Sequence, residues 1–275
     1  MNLARVEYYF SDLLSVLESG RDDEGWSRET LKLDYPYGIE QADIQREFRL
    51  PPNLYIIGTV NIDETTHAFS PKVLDRAFTM EMSHADLSNY PVSVDEVKNE
   101  IDQQQRIFLF ENFSRNGKYA QVEKSEIYDY LHNNNEIRTE LMGLYDRLQP
   151  YDLHFGYRVV DEVCEFLINA DLSGFFEEVG ENEEPLDSAI LMKVLPKFHG
   201  SRTKLEEPLK TILSWCLISG QGYDNNVEDT LQNASNSINE IISSLQNLPY
   251  KYPHTASRVI RMIRSIYTTG FASFG

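Results

Sequence analysis

The feature that most restricts the fold of this chain is the apolar run at residues 54–60, Leu-Tyr-Ile-Ile-Gly-Thr-Val. Pro51, Pro52 and Asn53 precede it, and a polar stretch beginning at Asn61 follows it. A short run that is apolar on both faces and bounded by turn formers is typical of a central strand in a parallel sheet, because such strands are buried on both sides. The sequence therefore predicts an α/β layer with residues 54–60 near its centre.

The polar stretch after this predicted strand contains Asn61, Asp63 and Glu64. Open α/β sheets bind their ligands at the carboxyl ends of parallel strands. The side-chain amide of Asn61 has both a donor and an acceptor, which suits it to align a water molecule with a phosphoryl group. Two interpretations of Asn61 remain open from the pattern alone: a water-positioning residue, or a residue that caps the following turn.

The rest of the chain separates into a mixed part and a helical part. Up to about residue 90, the predicted elements are a helix at 3–18, a hairpin of 30–33 with 47–50, a helix beginning near Ser70 with Pro71 in its first turn, and an outer strand at 78–82. Beyond that point, the predicted helices are at 93–113, 121–148, 156–169, 186–197, 203–218, 227–246 and 255–267. We therefore predict two domains, at residues 1–90 and 91–275.

Composition indicates a globular, acidic protein. Hydrophobic residues make up 41% of the chain, and 44 acidic against 25 basic residues give a formal net charge of -19. Such a chain repels nucleic-acid backbones on average, so broad non-specific binding to DNA is not expected. Cys164 and Cys216 lie in apolar helical patterns and are predicted to be buried free thiols. With no apolar run long enough to cross a bilayer, the predicted location is the cytoplasm.

Three stretches carry a resemblance to a known family. They are residues 50–61 (Leu-Pro-Pro-Asn-Leu-Tyr-Ile-Ile-Gly-Thr-Val-Asn), residues 70–78 (Ser-Pro-Lys-Val-Leu-Asp-Arg-Ala-Phe) and residues 155–162 (Phe-Gly-Tyr-Arg-Val-Val-Asp-Glu). They resemble the sensor-1 strand, the arginine-finger helix and the sensor-2 lid motif of McrB-type AAA+ proteins, the motor subunits of modification-dependent restriction systems. The first residues, 1–7, resemble the segment that directly follows the Walker B acidic pair in that family.

The resemblance implies a fold and a set of roles. The fold would be a partial α/β AAA+ core, comprising the C-terminal strands of its parallel sheet, followed by an all-α lid. Asn61 would position the attacking water, and Arg76 would be the arginine finger that reaches the nucleotide of a neighbouring subunit. The family's run of several arginines is reduced here to Arg76, with Asp75 beside it.

The resemblance also implies residues that bind the nucleotide. Arg158, at a helix start, would act as sensor 2 on the γ-phosphate, where the positive end of the helix adds to the attraction. A surface arginine paired with Asp161 or Glu162 is the alternative for that position. Further nucleotide-binding candidates are Asp63 and Glu64 in the polar stretch, and Arg202, which also precedes a helix.

Several motifs of complete nucleotide hydrolases are missing from the sequence. It contains no GxxxxGK[ST] phosphate loop and no Walker B acidic pair, so the chain alone is expected to be inactive, and ATP or GTP with Mg²⁺ would bind only together with the missing N-terminal part. The scattered histidines give no metal site. The chain is interpreted as the C-terminal portion of a longer protein, through a gene fragment, an internal start codon or a split system.

By the same resemblance, the expected partners are ring neighbours of the same kind and an McrC-like nuclease subunit, with DNA contacted only indirectly and no membrane. An alternative function stays open, namely a non-catalytic interaction or regulatory protein derived from an AAA+ core.

Overall fold

The computed structural model describes residues 5–33, 46–60, 69–82, 102–114, 122–174, 176, 184–218, 227, 230 and 237–274. The chain divides into two compact units. The first consists of Met1–Val73 and Glu81–Gln121, and the second consists of Leu74–Met80 and Val122–Gly275. The short segment Leu74–Met80 therefore belongs with the C-terminal part of the chain.

Up to residue 114 the elements are short. In chain order they are α1 (Val6–Tyr9), α2 (Ser11–Glu18), β1 (Leu31–Lys32), β2 (Glu47–Phe48), α3 (Pro71–Leu74) and α4 (Gln103–Ser114). Strands β1 and β2 pair antiparallel, and Lys32 forms an ion pair of 3.4 Å with Glu47 across them. The predicted hairpin is confirmed, and Pro71 lies in the first turn of α3 as expected.

The prediction for residues 54–60 is wrong. The structure gives this segment no regular secondary structure, and its apolar side chains face solvent, with Ile57 91% exposed and Tyr55 48% exposed. A strand of a parallel sheet needs a neighbour for its backbone groups and a layer over each face. Among the described residues no strand pairs with residues 54–60, and those at 54–57 are each at least 39% exposed, so their apolar character does not produce a strand.

The predicted partial α/β AAA+ core is likewise wrong. Among the described residues the sheets are two antiparallel pairs of two strands each, and none of them is parallel. Residues 78–82, predicted as an outer strand, are also irregular. The backbone N–H of Thr79 instead donates to the carbonyl of Met192, at 2.9 Å, in the C-terminal helical part.

The second unit is built from helices. They are α5 (Lys124–Asn133), α6 (Asn135–Leu148), α7 (Tyr157–Ser173), α8 (Pro185–Lys193), α9 (Arg202–Trp215), α10 (Ile238–Gln246) and α11 (Pro253–Thr269). One further strand pair, β3 (Gly200–Ser201) with β4 (Phe271–Ala272), joins the start of α9 to the end of α11. None of the helices in the described ranges has the length and apolar character needed to cross a bilayer.

One continuous apolar core holds these helices together. Helix α7 packs against α8, and α11 packs against α8 and α9. Val159, Val163 and Leu167 form the buried stripe of α7, as their helical spacing predicts. Cys164 and Cys216 are buried free thiols, which confirms that prediction.

Gly270 ends α11 and connects it to the strand pair. Its φ of 78° lies in the left-handed region, where glycine avoids the steric penalty of a side chain. Its N–H donates to the carbonyl of Ile266 at 3.1 Å, and its carbonyl accepts from the N–H of Arg202 at 2.8 Å. The first residue of α9 is thereby tied to the end of α11.

Candidate functional site

The segment that carries Arg76 lies against helices α7 and α8 in the second unit. The ring of Phe78 stacks on the ring of Phe166 from α7, with centroids 5.8 Å apart. The ammonium group of Lys193, the last residue of α8, lies 5.1 Å from the centre of the Phe78 ring. Together with the hydrogen bond of Thr79, these contacts hold residues 77–80 on the helical unit.

Lys193 is the most deeply buried charged side chain of this region, with 0% of its side chain exposed. Its Nζ donates to the carbonyl of Asp75 at 2.8 Å and to the carbonyl of Ala77 at 3.3 Å. It also forms an ion pair with the carboxylate of Glu162. An ammonium group has three N–H donors, and here three acceptors meet them. Burial lowers the pKa of Lys193, while Glu162 opposes that shift.

A second lysine holds the same segment. Lys197, in the 3-10 turn Leu195–Lys197 after α8, forms an ion pair with the carboxylate of Asp75. Lys193 and Lys197 are four residues apart and bind the same short stretch. Lys193 binds its backbone carbonyls, and Lys197 binds the side chain of Asp75. The residues on both sides of Arg76 are therefore fixed to the end of α8.

Arg76 and Arg158 are distant in sequence, but both belong to the second unit, and the charge of Arg158 acts on Arg76. Arg158 is an exposed residue in the first turn of α7, and Arg76 is partly buried. Burial and then the positive charge of Arg158 lower the pKa of Arg76, while Glu162 raises it. Two like charges in a partly desolvated place repel each other. An anion that contacts both would relieve the repulsion.

Acidic residues line the neighbouring turn of α7. Burial raises the pKa of Glu165 to about 7, and the charges of Glu162 and Asp161 add to that effect, while Lys193 counteracts it. Burial, together with Asp161 and Glu165, raises the pKa of Cys164 to about 12, so this thiol stays protonated at neutral pH. Cys164 is therefore not an activated nucleophile.

Arg202 has other partners. Its Nε donates to Glu206 at 2.8 Å, and its guanidinium lies 4.0 Å from the centre of the Tyr267 ring. The hydroxyl of Tyr267 donates to the same carboxylate at 2.6 Å. This closed arrangement at the start of α9 gives Arg202 a structural role at the strand pair.

The remaining predicted site residues, Asn61, Asp63 and Glu64, lie outside the described residues. Across the part of the chain that the structure describes, no group of three His, Cys, Asp or Glu side chains is placed to hold a metal ion.

The sequence analysis did not single out Lys193 or Lys197. A signal for Lys193 was present, since it stands within Ile-Leu-Met-Lys-Val-Leu, where a lysine has apolar neighbours on both sides. Lysine is seldom fully buried unless it is paired. A lysine inside an apolar helical run therefore indicates a buried partner, although the sequence does not identify that partner.

Comparison with known proteins gives one match. The model of a family described as a domain of unknown function (DUF8727) matches residues 86–271, which is more than half of the chain. No curated protein matches the chain, and no solved structure matches it. The matched range contains Arg158 and Lys193, and it begins after Arg76.

Proposed function

We propose that this chain binds the phosphates of ATP or GTP through Arg76 and Arg158, as part of a nucleotide-hydrolysing motor of the McrB type. The chain belongs to the DUF8727 family, whose function is unknown. What supports the proposal is that Arg76 is held on the helical unit that carries Arg158, where the charge of Arg158 acts on it. Arginine recognises phosphate oxygens through its planar set of donors and keeps its charge at all physiological pH values.

The surroundings of the pair also support an anion as the ligand. Arg158 lies in the first turn of a helix of 17 residues, and the amino-terminal end of a helix attracts negative charge. Arg76 is part of a segment tethered by Lys193 and Lys197, so its backbone is held before any ligand arrives. A held arginine loses less conformational freedom on binding than a free one.

The electrostatic effect of Arg158 on Arg76 changes one detail of the expected mechanism. The resemblance assigns Arg158 to the nucleotide of its own subunit and Arg76 to the nucleotide of a neighbour. Because the two charges act on each other within one chain, the proposal here is that both arginines contact a single polyphosphate. In phosphoryl transfer, such a pair would stabilise the charge on the γ-phosphate oxygens.

The rest of the catalytic apparatus must come from other sequence, because the chain has no GxxxxGK[ST] loop. The chemistry that Mg²⁺ supplies when bound is neutralisation of charge on the β- and γ-phosphates. The chain's own arginines bind and orient the polyphosphate. The proposed partners are ring neighbours and an McrC-like nuclease that acts on DNA.

Binding of inorganic tripolyphosphate to the chain tests the proposal. We expect saturable, salt-sensitive binding by calorimetry, weakened about tenfold or more by Arg76→Ala and by Arg158→Ala, because one hydrogen bond to a charged group contributes about 1.5–3 kcal/mol. Arg202→Ala is the matched control and should leave the affinity unchanged, since Arg202 is engaged by Glu206. ATP and GTP are then compared with tripolyphosphate under the same conditions.

Absence of binding, or equal binding by Arg76→Ala and the wild type, would refute the proposal and favour the non-catalytic interaction function. Hydrolysis requires the chain to be fused to a phosphate loop and a Walker B acidic pair. In an active fusion, Arg76→Ala should lower kcat by about 10³-fold, the smallest effect typical of an arginine finger.

A further inference from the structure

The fully buried ammonium of Lys193 has an unusual set of partners. Only one of its three acceptors, Glu162, is a side chain, and the other two are the carbonyls of Asp75 and Ala77. Moving a lysine out of water is unfavourable unless every donor finds a partner. Two of the three contacts that make this burial possible are therefore to the residues on either side of Arg76.

We propose that Lys193 is a positioning residue for Arg76, holding the backbone on both sides of that arginine so that its guanidinium is presented to the phosphates of the nucleotide. The inference rests on the proposed function of Arg76 and adds the device that fixes its geometry. Catalytic and binding groups need support of this kind, because an error of about 1 Å in position can reduce a rate by about 10²-fold.

Lys193 has a second effect on Arg76 through Glu162. The charge of Glu162 acts on Arg76 as well as on Lys193. While Lys193 pairs with Glu162, part of the negative charge that acts on Arg76 is neutralised. Without Lys193, Glu162 would compete with the phosphate for the guanidinium of Arg76.

The two effects can be separated by substitution. Lys193→Met removes both the backbone contacts and the partner of Glu162. The double variant Lys193→Met with Glu162→Gln also removes the competing carboxylate, so only the loss of the backbone contacts remains. Lys193→Arg keeps the positive charge, but its rigid planar donors do not fit two carbonyls and a carboxylate in the same way as an ammonium.

The experiment is a tripolyphosphate titration of these variants in the full chain. We expect Lys193→Arg and the double variant to bind about tenfold more weakly than the wild type. Lys193→Met should bind more weakly still, because Glu162 is then unpaired. Lys251→Met is the matched control, since Lys251 is another ion-paired lysine of the same unit, which bridges the carboxylates of Glu136 and Glu140 at 2.7 Å and 3.0 Å. It should bind like the wild type.

A second readout separates positioning from general loss of structure. The NMR signal of the Arg76 Nε–H should shift in each Lys193 variant and stay in place in Lys251→Met. In an Arg76→Ala background, Lys193→Arg should have no further effect on affinity, because the two residues act through one contact. If Lys193→Met does not fold, Lys193→Arg and the double variant carry the test, since both avoid an unpaired buried carboxylate.

The outcomes distinguish this inference from the function on which it rests. If Arg76→Ala binds tripolyphosphate as well as the wild type does, the proposed function fails. If Arg76→Ala weakens binding while the Lys193 variants retain wild-type affinity, Lys193 is only a stabilising residue and this inference alone is refuted. An additive effect of the two substitutions would also refute it.

Discussion

Glu165 is the residue of this region whose ionisation depends most clearly on the fold. It lies partly buried on α7, next to Asp161 and Glu162, and the positive charge of Lys193 counteracts theirs. Burial and the two carboxylates disfavour its charged form and raise its pKa from 4.5 to about 7. The folded protein therefore holds a proton on Glu165 at pH values where the unfolded chain has lost it.

This difference predicts a pH-dependent effect of Glu165→Gln on stability. Between pH 4.5 and about 7 the folded state binds more protons than the unfolded state, so the wild type loses stability as the pH rises through this window. Glutamine cannot ionise and avoids that loss. Glu165→Gln should match the wild type below pH 4.5 and exceed it above pH 7 by about 1–3 kcal/mol.

Urea unfolding of both proteins at several pH values measures this difference. Glu240→Gln, which changes an exposed carboxylate on α10, is the control and should give a difference that does not grow across the window. A constant difference for Glu165→Gln as well would show that folding does not change the pKa of Glu165 and would contradict the prediction.

The sequence alone could predict only part of the candidate site. Arg76 and Arg158 were selected by their positions in short motifs. How the segment of Arg76 is held on the helical unit was not predictable, because Lys193 binds carbonyl oxygens there, and every residue has a carbonyl. When a side chain binds a backbone carbonyl, the residue that carries the carbonyl can be of any type, so the sequence at that position does not reveal the contact.

At the scale of elements, α11 has an unusual amino-terminal cap. The residue before the helix, Tyr252, makes no side-chain cap. Instead Asp187, a buried residue from α8, accepts the N–H of His254 and the N–H of Thr255, each at 2.8 Å. A cap from another helix satisfies the free donors of the first turn and also fixes the position of α11 against α8.

Asp187→Asn tests this cap. The amide has one acceptor oxygen, so at least one N–H of the first turn of α11 would face the NH₂ group and lose its partner. We expect the free energy of unfolding to fall by about 1.5–3 kcal/mol, because the bonds are buried and one partner is charged. Chemical unfolding measures it, with Asp146→Asn on the exposed face of α6 as the control. Equal stability of the two variants would contradict the role given to Asp187.

The elements differ in how well the sequence predicted them. Helix α7 was predicted within a few residues, because its apolar spacing meets a core supplied by the same unit. Residues 54–60 have a strong apolar pattern but failed to form a strand, because a central strand needs partners that the described residues do not supply. A periodic pattern of apolar residues predicts a helix or strand correctly only where the chain also provides the surface on which that element packs.

At the scale of the whole molecule, apolar burial is unevenly distributed. The core cluster lies within residues 122–272, whereas four consecutive apolar residues at 54–57 are each at least 39% exposed. An irregular exposed segment opens readily to proteases, since few contacts must break before cleavage. The two parts of the chain should therefore differ in their resistance to proteolysis.

Limited digestion with chymotrypsin measures that difference. We expect early cleavage after Tyr55 and a late-surviving fragment that contains α5 to α11, identified by mass spectrometry. Tyr252 provides an internal comparison, because it is 1% exposed and should be cut only after unfolding. Cleavage at Tyr252 before Tyr55 would contradict the distribution of packing described above.

The way Lys193 holds residues 75–77 has a consequence for how this protein changes over evolution. For a lysine that binds carbonyl oxygens, the contact persists only if that residue remains a lysine, whereas the residues that carry the carbonyls can be of almost any type. Substitutions at positions 75 and 77 would leave the backbone anchor in place, while a substitution at position 193 would release it. Among related sequences we therefore expect position 193 to be nearly invariant and position 77 to drift freely.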